Sequence, residues 1–432
     1  MKKITSNELR NLFFRFCAEK GHCRIPSESL VPKENATVLF TNSGMLPMIG
    51  HMLNGSHPMG RRVCNIQNVV RTGALDRVGD ASHETFFEVL GMWSFGDYGV
   101  EDALTYVLEF LTGKQWLSLE LARLHCTCFV GDDVIAQNGE IQLVLHKLGF
   151  EPSHIHLSEK NKKGPYEGNG LFGENVRIHY DKGLQPCSDT CNPYCRCGKY
   201  TEIWDVVFFS KYYDNDGNIC NLPRAIVDMG AGFDRILALM NGVTSVYDTD
   251  LFAAVIDRVA EISGPLGSQS LCDRRIIADH SRCIAFILGD VNRVIPSNAG
   301  RGYVVRRLIR TVLQKLDSSG AQKGSIQPLV DEIIKQYGGV YPHLQRNRDY
   351  VSEQISAEEN RYISAIENGE KKIRKKIKAG RFGETMSGEA AFLFYSSLGV
   401  PLSRIVKVAE EFCVAVDTEG FEQCYKKFSG KA

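Results

Sequence analysis

No stretch of the sequence approaches the roughly 18 consecutive apolar residues that a membrane-crossing helix needs. A membrane-spanning protein is therefore not expected. The start, Met1-Lys2-Lys3, leads into an amphipathic segment and lacks the continuous apolar stretch of a signal peptide, so a soluble, cytoplasmic protein is expected. Net charge is lacking too, because 51 Lys+Arg balance 51 Asp+Glu. That excludes a whole-molecule attraction to a polyanion, and any nucleic-acid partner needs positive charge concentrated locally. Internal repeats and low-complexity tracts are also absent, which removes disordered and fibrous classes. What remains is an ordinary globular composition, 43% hydrophobic and 24% charged, on 432 residues, enough for roughly two or three domains.

Residues 5–17 place Leu9, Leu12, Phe13, Phe16 and Cys17 at helical spacing behind a Thr5-x-x-Glu8 capping box, which predicts an amphipathic helix ended by Gly21. Thr37–Thr41 reads as a short strand, 101–112 as a helix, Leu124–Val130 as a strand and 138–148 as a helix. Residues 150 to 200 read as loop-rich. Ile203–Phe209 and Ala225–Asp228 read as buried strands, the second running through Gly230 and Gly232 into a helix near Phe233. Past residue 245 helical periodicity takes over, with helices expected at 250–262, 274–289, 302–316, 328–337 and 348–378. The expected boundary near Asn241-Gly242 divides an α+β domain, 1–243, from a helical domain, 244–432.

The missing net charge conceals an uneven distribution. Cys272–Lys323 holds ten basic and four acidic residues, an excess of six. Arg306, Arg310 and the neighbouring Arg307 share roughly one helix face, a spacing that can track a phosphate backbone or simply meet solvent. Asp228-Met-Gly-Ala-Gly232-Phe-Asp-Arg235 puts a carboxylate at the end of a strand, two glycines that permit close backbone approach, and an arginine one turn into a helix. Such an acid suits an ammonium, and such an arginine a phosphate. Upstream, Arg71, a glycine-containing loop and His83-x-x-x-Phe87 offer a guanidinium for a phosphate and an aromatic face for a purine. Cys187, Cys191, Cys195 and Cys197 bring four thiols into eleven residues, able either to close a tetrahedral structural zinc site or to stand as reduced loop cysteines.

These segments, with Phe40-Thr-Asn-Ser-Gly-Met45, His83-Glu-Thr-Phe-Phe-Glu-Val-Leu-Gly91, Ser94-Phe-Gly-Asp-Tyr98, Glu202-Ile-Trp204, Ala278-Asp-His280 and Pro296-Ser-Asn298 through Arg301-Gly-Tyr-Val-Val-Arg-Arg307, resemble the alanyl-tRNA synthetase family over nearly the whole chain. The resemblance implies an α+β class II synthetase fold, an antiparallel β-sheet flanked by helices, followed by an all-helical tRNA-recognition region without the editing domain. It implies ATP with Mg²⁺, alanine, and the acceptor stem of tRNA(Ala) as the ligands. By resemblance Arg71 and Arg235 are the catalytic pair, Arg71 holding the α-phosphate and Arg235 covering the face of the adenine opposite Phe87, while His83 approaches the triphosphate and Glu84, Phe172, Ile203, Trp204, Asp205 and Gly232 complete the ATP site. Asp205, Val207, Asp228 and Gly230 surround alanine, Asp228 binding its ammonium. Asn298, Arg301, Arg306, Arg310 and Ser396 face the tRNA.

The sequence departs from the family pattern at several matched positions. Asp205 stands where Asn is usual, Glu84 where His is usual, Met92 where Asn is usual, Phe172 where a pocket Trp is usual, and Ser396 where an Asp reads a G·U wobble pair. A Gly-Pro-Cys-Gly-Pro-Cys loop and a His-x-x-x-His hydrolytic site are missing. These departures motivate two further readings: a paralogue that hands its aminoacyl adenylate to a non-tRNA acceptor, and an inactive RNA-binding module.

Overall fold

The structure is a computed structural model that describes residues 3–33, 38–135, 137–164, 170–214, 216–263 and 270–428. The chain forms two compact units, residues 1–254 and 255–432. In the first, helices α1 (Ser6–Glu19), α2 (Ile49–Asn54), α3 (Val100–Thr112), α4 (Gly139–Lys147) and α5 (Phe233–Met240) flank one nine-stranded sheet. Its strands are β1 (Cys23–Arg24), β2 (Arg62–Val70), β3 (Phe86–Phe95), β4 (Leu124–Phe129), β5 (Ile155–Ser158), β6 (Lys162–Lys163), β7 (Phe172–Asp181), β8 (Tyr200–Tyr213) and β9 (Ile219–Gly232). The order is β1-β2-β3-β9-β8-β7-β4-β5, with β6 on β7; β1 on β2 and β4 on β5 are parallel and the rest antiparallel.

Helix α1 carries the expected capping box, with Thr5 accepting from the Glu8 backbone and Glu8 reaching back to Thr5. Its Phe13 and Phe16 rings lie 5.9 and 5.1 Å from Phe110 of α3, so the two helices close over the sheet by aromatic packing. Beside them, Arg10 makes a two-pronged pair with Glu88 of β3, both side chains almost wholly buried. Losing one partner of such a pair costs about 3–5 kcal/mol.

The elements differ from the sequence reading in several places, among them β2, β3 and the helices past residue 378, which it did not contain. Residues 38–41 form no strand; Thr37 lies outside the described residues. The Thr41 carbonyl instead accepts from Val70 N–H at 2.8 Å, bracing the end of β2 from a loop. The stretch expected to be loop-rich contains the ten-residue strand β7, whose Val176, Ile178 and Tyr180 alternate inward. The two short buried strands are parts of the fourteen-residue strands β8 and β9, paired from Tyr213 with Ile219 to Asp205 with Gly230.

The second unit begins within α6 (Ala253–Ser263) and contains α7 (Leu271–Leu288), α8 (Gly300–Ser318), α9 (Ile326–Tyr337), α10 (Pro342–Arg346), α11 (Arg348–Lys378), α12 (Gly388–Leu398), α13 (Leu402–Glu410) and α14 (Thr418–Phe428). A two-residue parallel pair, β10 (Thr385–Met386) and β11 (Ala415–Val416), joins its last helices. The end of α11 packs with α12, α13 and α14 around Ile373, Phe394, Ile405 and Phe421. Among the described residues no helix is long and apolar enough to cross a membrane.

Candidate active site

Period-two alternation decides which side chains share the sheet's working face. Asp228 of β9 lies opposite Val207 of β8 and Trp93 of β3; Gly230 lies opposite Asp205 and Gly91; Gly232 lies opposite Val89. Asp205, Val207, Asp228, Gly230 and Gly232 therefore form one contiguous patch over two strands. Gly91 is required here by close approach, because a Cβ would sit 2.2 Å from the Trp93 ring. A Cβ on Gly232 would meet the Arg235 side chain at 3.6 Å, so that arginine's stem lies along the backbone it follows.

Removal from water first, and neighbouring Asp205 second, push the Asp228 carboxyl up to about 7 against the opposing pull of Lys163 and the Trp93 indole. Asp205 is itself paired. Lys163 of β6 reaches its Oδ2 at 2.7 Å, and the wholly buried Asn175 of β7 donates to its Oδ1. The Asn175 Oδ1 stays buried with no partner among the described residues. Lys163 and Asn175 escaped the sequence reading. Asn175 could have been found from the polar alternation of β7, whereas Lys163 sits in the polar run Ser158-Glu-Lys-Asn-Lys-Lys163, which carries no local signal.

The loop between β2 and β3 carries the phosphate candidates. Arg71 N–H donates to Thr85 O at 2.9 Å, closing the loop, and its Nε donates to Asn42 O at 3.0 Å. Its guanidinium carbon stands 4.9 Å from the Phe87 ring centroid, so the residues expected to hold phosphate and purine are neighbours. The His83 ring pairs with Asp80 at 2.5 Å, and its carbonyl accepts from Tyr247 Oη at 2.8 Å.

Glu84, Ile203, Trp204 and Phe172 are all buried. Trp204 packs its ring 5.8 Å from Phe110 on the helix-covered side, and Phe172 joins a small cluster with Phe129 and Ile135 against Tyr213.

The cysteine group is three thiols plus one. Cys187, Cys191 and Cys197 place their sulfurs within 4.8 Å of one another, as a metal's ligands must be, whereas the Cys195 sulfur accepts from Asn192 N–H at 3.5 Å. The Asn-Pro turn lies between Cys191 and Cys195, and the Cys195 sulfur stays within hydrogen-bonding reach of Cys187, at the edge of the three-thiol group.

In the second unit the expected tRNA contacts are engaged within the unit. Asn298 is exposed and accepts from Arg306. Arg306 and Arg310 reach Glu358 of α11 at 3.0 and 2.7 Å, and Arg361 reaches it at 3.4 Å; Glu358 itself is 1% exposed. Part of the basic excess in the sequence is thus balanced by an acid about fifty residues away. Arg301 is half-buried at the start of α8, and Ser396 is exposed on α12.

The comparisons agree with this geometry. The family model described as tRNA synthetases class II (A) matches residues 8–431. The alanine–tRNA ligase of Treponema pallidum (strain Nichols) is 38% identical over 430 residues, covering 98% of this chain and 71% of that protein. Those of Borrelia hermsii (strain HS1 / DAH) and Borreliella burgdorferi are 37% and 38% identical, each covering 98% of this chain and 72% of the relative. With an antiparallel-dominated sheet, a hairpin that sets Arg71 beside Phe87, and relatives of one name along nearly its full length, the chain belongs to the class II (A) tRNA synthetases and, within them, to the alanine–tRNA ligase family.

Proposed function

We propose that this chain activates alanine with ATP to alanyl adenylate and transfers the alanyl group to the 3′ end of tRNA(Ala). The observation that carries the reading is the patch in which the Asp228 carboxyl stands beside Val207 and Gly230, with Gly232 leading directly into Arg235. A carboxylate beside a small apolar wall suits an amino acid whose side chain is one methyl group, and Asp228 holds its ammonium. The substrate carboxylate then attacks the α-phosphorus of ATP, and the bond to pyrophosphate breaks.

That displacement needs positioning and charge neutralisation more than a protein base. Arg71 supplies fixed positive charge to the α-phosphate, His83 approaches the triphosphate, Phe87 stacks on the adenine with Arg235 over its other face, and Gly232 lets the nucleotide lie against backbone. Glu84, Phe172, Ile203 and Trp204, all buried, complete the ATP site. Mg²⁺ bound with ATP would neutralise phosphate oxygens. Cys187, Cys191 and Cys197, joined by Cys195 on a small movement of its loop, would hold a structural zinc ahead of β8. The second unit recognises the acceptor stem through Asn298, Arg301, Arg306, Arg310 and Ser396.

Amino-acid-dependent ATP–pyrophosphate exchange across the standard amino acids, followed by charging of total tRNA, tests the reading. Exchange driven best by alanine, with charging of tRNA(Ala), is expected. No exchange with alanine overturns it, and alanine exchange without charging points to a non-tRNA acceptor.

A further inference from the structure

Asp205 poses a problem for the pocket just described, since two carboxylates face a site that has to hold a single ammonium. We propose that Lys163 is a positioning and specificity-determining residue of the amino-acid pocket: its ammonium neutralises Asp205, leaving Asp228 as the one anionic group for the substrate's ammonium. This rests on the reading above.

The geometry supports it from three sides. Lys163 pairs in register with Gly173 of β7, two residues before Asn175, so Lys163 and Asn175 converge on the two oxygens of Asp205. Gly173 leaves no alternative side chain there, as a Cβ would lie 2.1 Å from the Phe208 carbonyl oxygen. The preceding Lys162 goes to Asp132 at 2.5 Å, so the two adjacent lysines serve different carboxylates. The groups facing Asp228 are then Asp205 from β8, Lys163 from β6 and Trp93 from β3, with Arg177 of β7 opposite Asp205 in register and within 3.9 Å of Glu202. The charge of Asp205, Asp228 and Lys163 together is minus one, which one ammonium balances. An uncompensated second carboxylate would hold a proton or draw the ammonium away from Asp228, and an uncompensated lysine would repel it.

The inference predicts reciprocal rescue. In alanine-dependent exchange, Lys163→Met raises KM for alanine by about ten-fold near neutral pH and moves the acid limb of the pH profile upward by about one unit. Asp205→Asn, which leaves the lysine unpaired, also raises KM by about ten-fold, with a smaller change in kcat. The double variant, which restores a charge of minus one with neutral groups, returns KM to within about three-fold of the parent, and Lys163→Arg stays in that range. A double variant no better than the worse single, or a Lys163→Met enzyme with unchanged KM and pH profile, overturns the role of Lys163. If Lys163→Met does not fold, Asp205→Asn against the double variant still decides, and a double variant that also fails assigns Lys163 a structural role and overturns the proposal. Parent enzyme that shows no alanine-dependent exchange overturns the function itself, so the two failures are separable.

Discussion

Arg306 of α8 donates a hydrogen bond to the Asn298 side chain while also reaching Glu358 at 3.0 Å. The residue expected to read the tRNA and one expected to grip its backbone therefore hold each other before any RNA arrives. Arg306→Ala should free Asn298, and should lower kcat/KM for tRNA charging by about ten-fold or more while leaving pyrophosphate exchange within about two-fold. Equal losses in both assays would show that the arginine serves the fold rather than the RNA.

Glu358 is buried beneath Arg306, Arg310 and Arg361. Glu358→Gln removes the carboxylate charge that those arginines share, and should destabilise the second unit by about 2–4 kcal/mol, read from denaturant unfolding. A change below about 0.5 kcal/mol would mean that the cluster is no stronger than an exposed pair.

Asp228 binds an ammonium only when ionised, and burial raises its carboxyl from the ordinary 3.8 to about 7. Exchange should therefore rise with pH through about 7. Asp228→Ala should lower it at least about a hundred-fold, because the ammonium loses its counter-charge. The stability contribution has the opposite sign: between about 4 and 7 the folded chain holds a proton the unfolded chain has released, so this group costs stability as pH rises. Asp228→Asn should remove that slope from pH-dependent melting curves.

Four histidines gather toward the outer edge of the same sheet: His125 of β4 opposite His179 of β7, with His156 of β5 at 3.1 Å from His125 and the ring of His154, in the turn just before β5, stacked on it at 4.0 Å. Burial first, then the neighbouring histidines for His125 and Arg177 for His179, pushes both down to about 4, so both fold neutral. Between about 6.5 and 4 the unfolded chain binds protons that the folded chain does not, so stability falls as pH drops through that window, by about 1–2 kcal/mol per imidazole from pH 7 to 5. His125→Asn should flatten the dependence in urea titrations at the two pH values; an unchanged slope would place the acid sensitivity elsewhere.

Zinc content should follow the thiol geometry. Protein prepared without chelators should carry about one equivalent, and serine at Cys187, Cys191 or Cys197 should bring it below about half. Cys195→Ser, on the thiol turned toward Asn192, should retain more metal than the other three. Metal-free parent protein would leave the cysteines as reduced loop residues.

Legibility in the sequence tracked locality. Capping at Thr5, the five helices read between residues 250 and 378 and the Asp228-to-Arg235 run were readable because one segment contains both the pattern and its cause. Strand β2 was obscured because Asn65, Gln67 and Asn68 are buried among apolar neighbours, which erases polar alternation. The partners of Asp205 and Arg306 were unreadable for a different reason: Lys163 and Glu358 lie about forty and fifty residues distant, and only strand register or helix packing selects them.

The two lysines of β6 also set a rule for change in that segment. Because Lys162 and Lys163 leave the strand on alternate sides, gaining one uncharged residue between Lys163 and Gly164 would turn Lys163 to the side that serves Asp132 and strip the pocket of its neutralising cation without altering the chain's composition in charge. Length between β5 and β7 is thus as much a determinant of the amino acid accepted as any side chain that touches it.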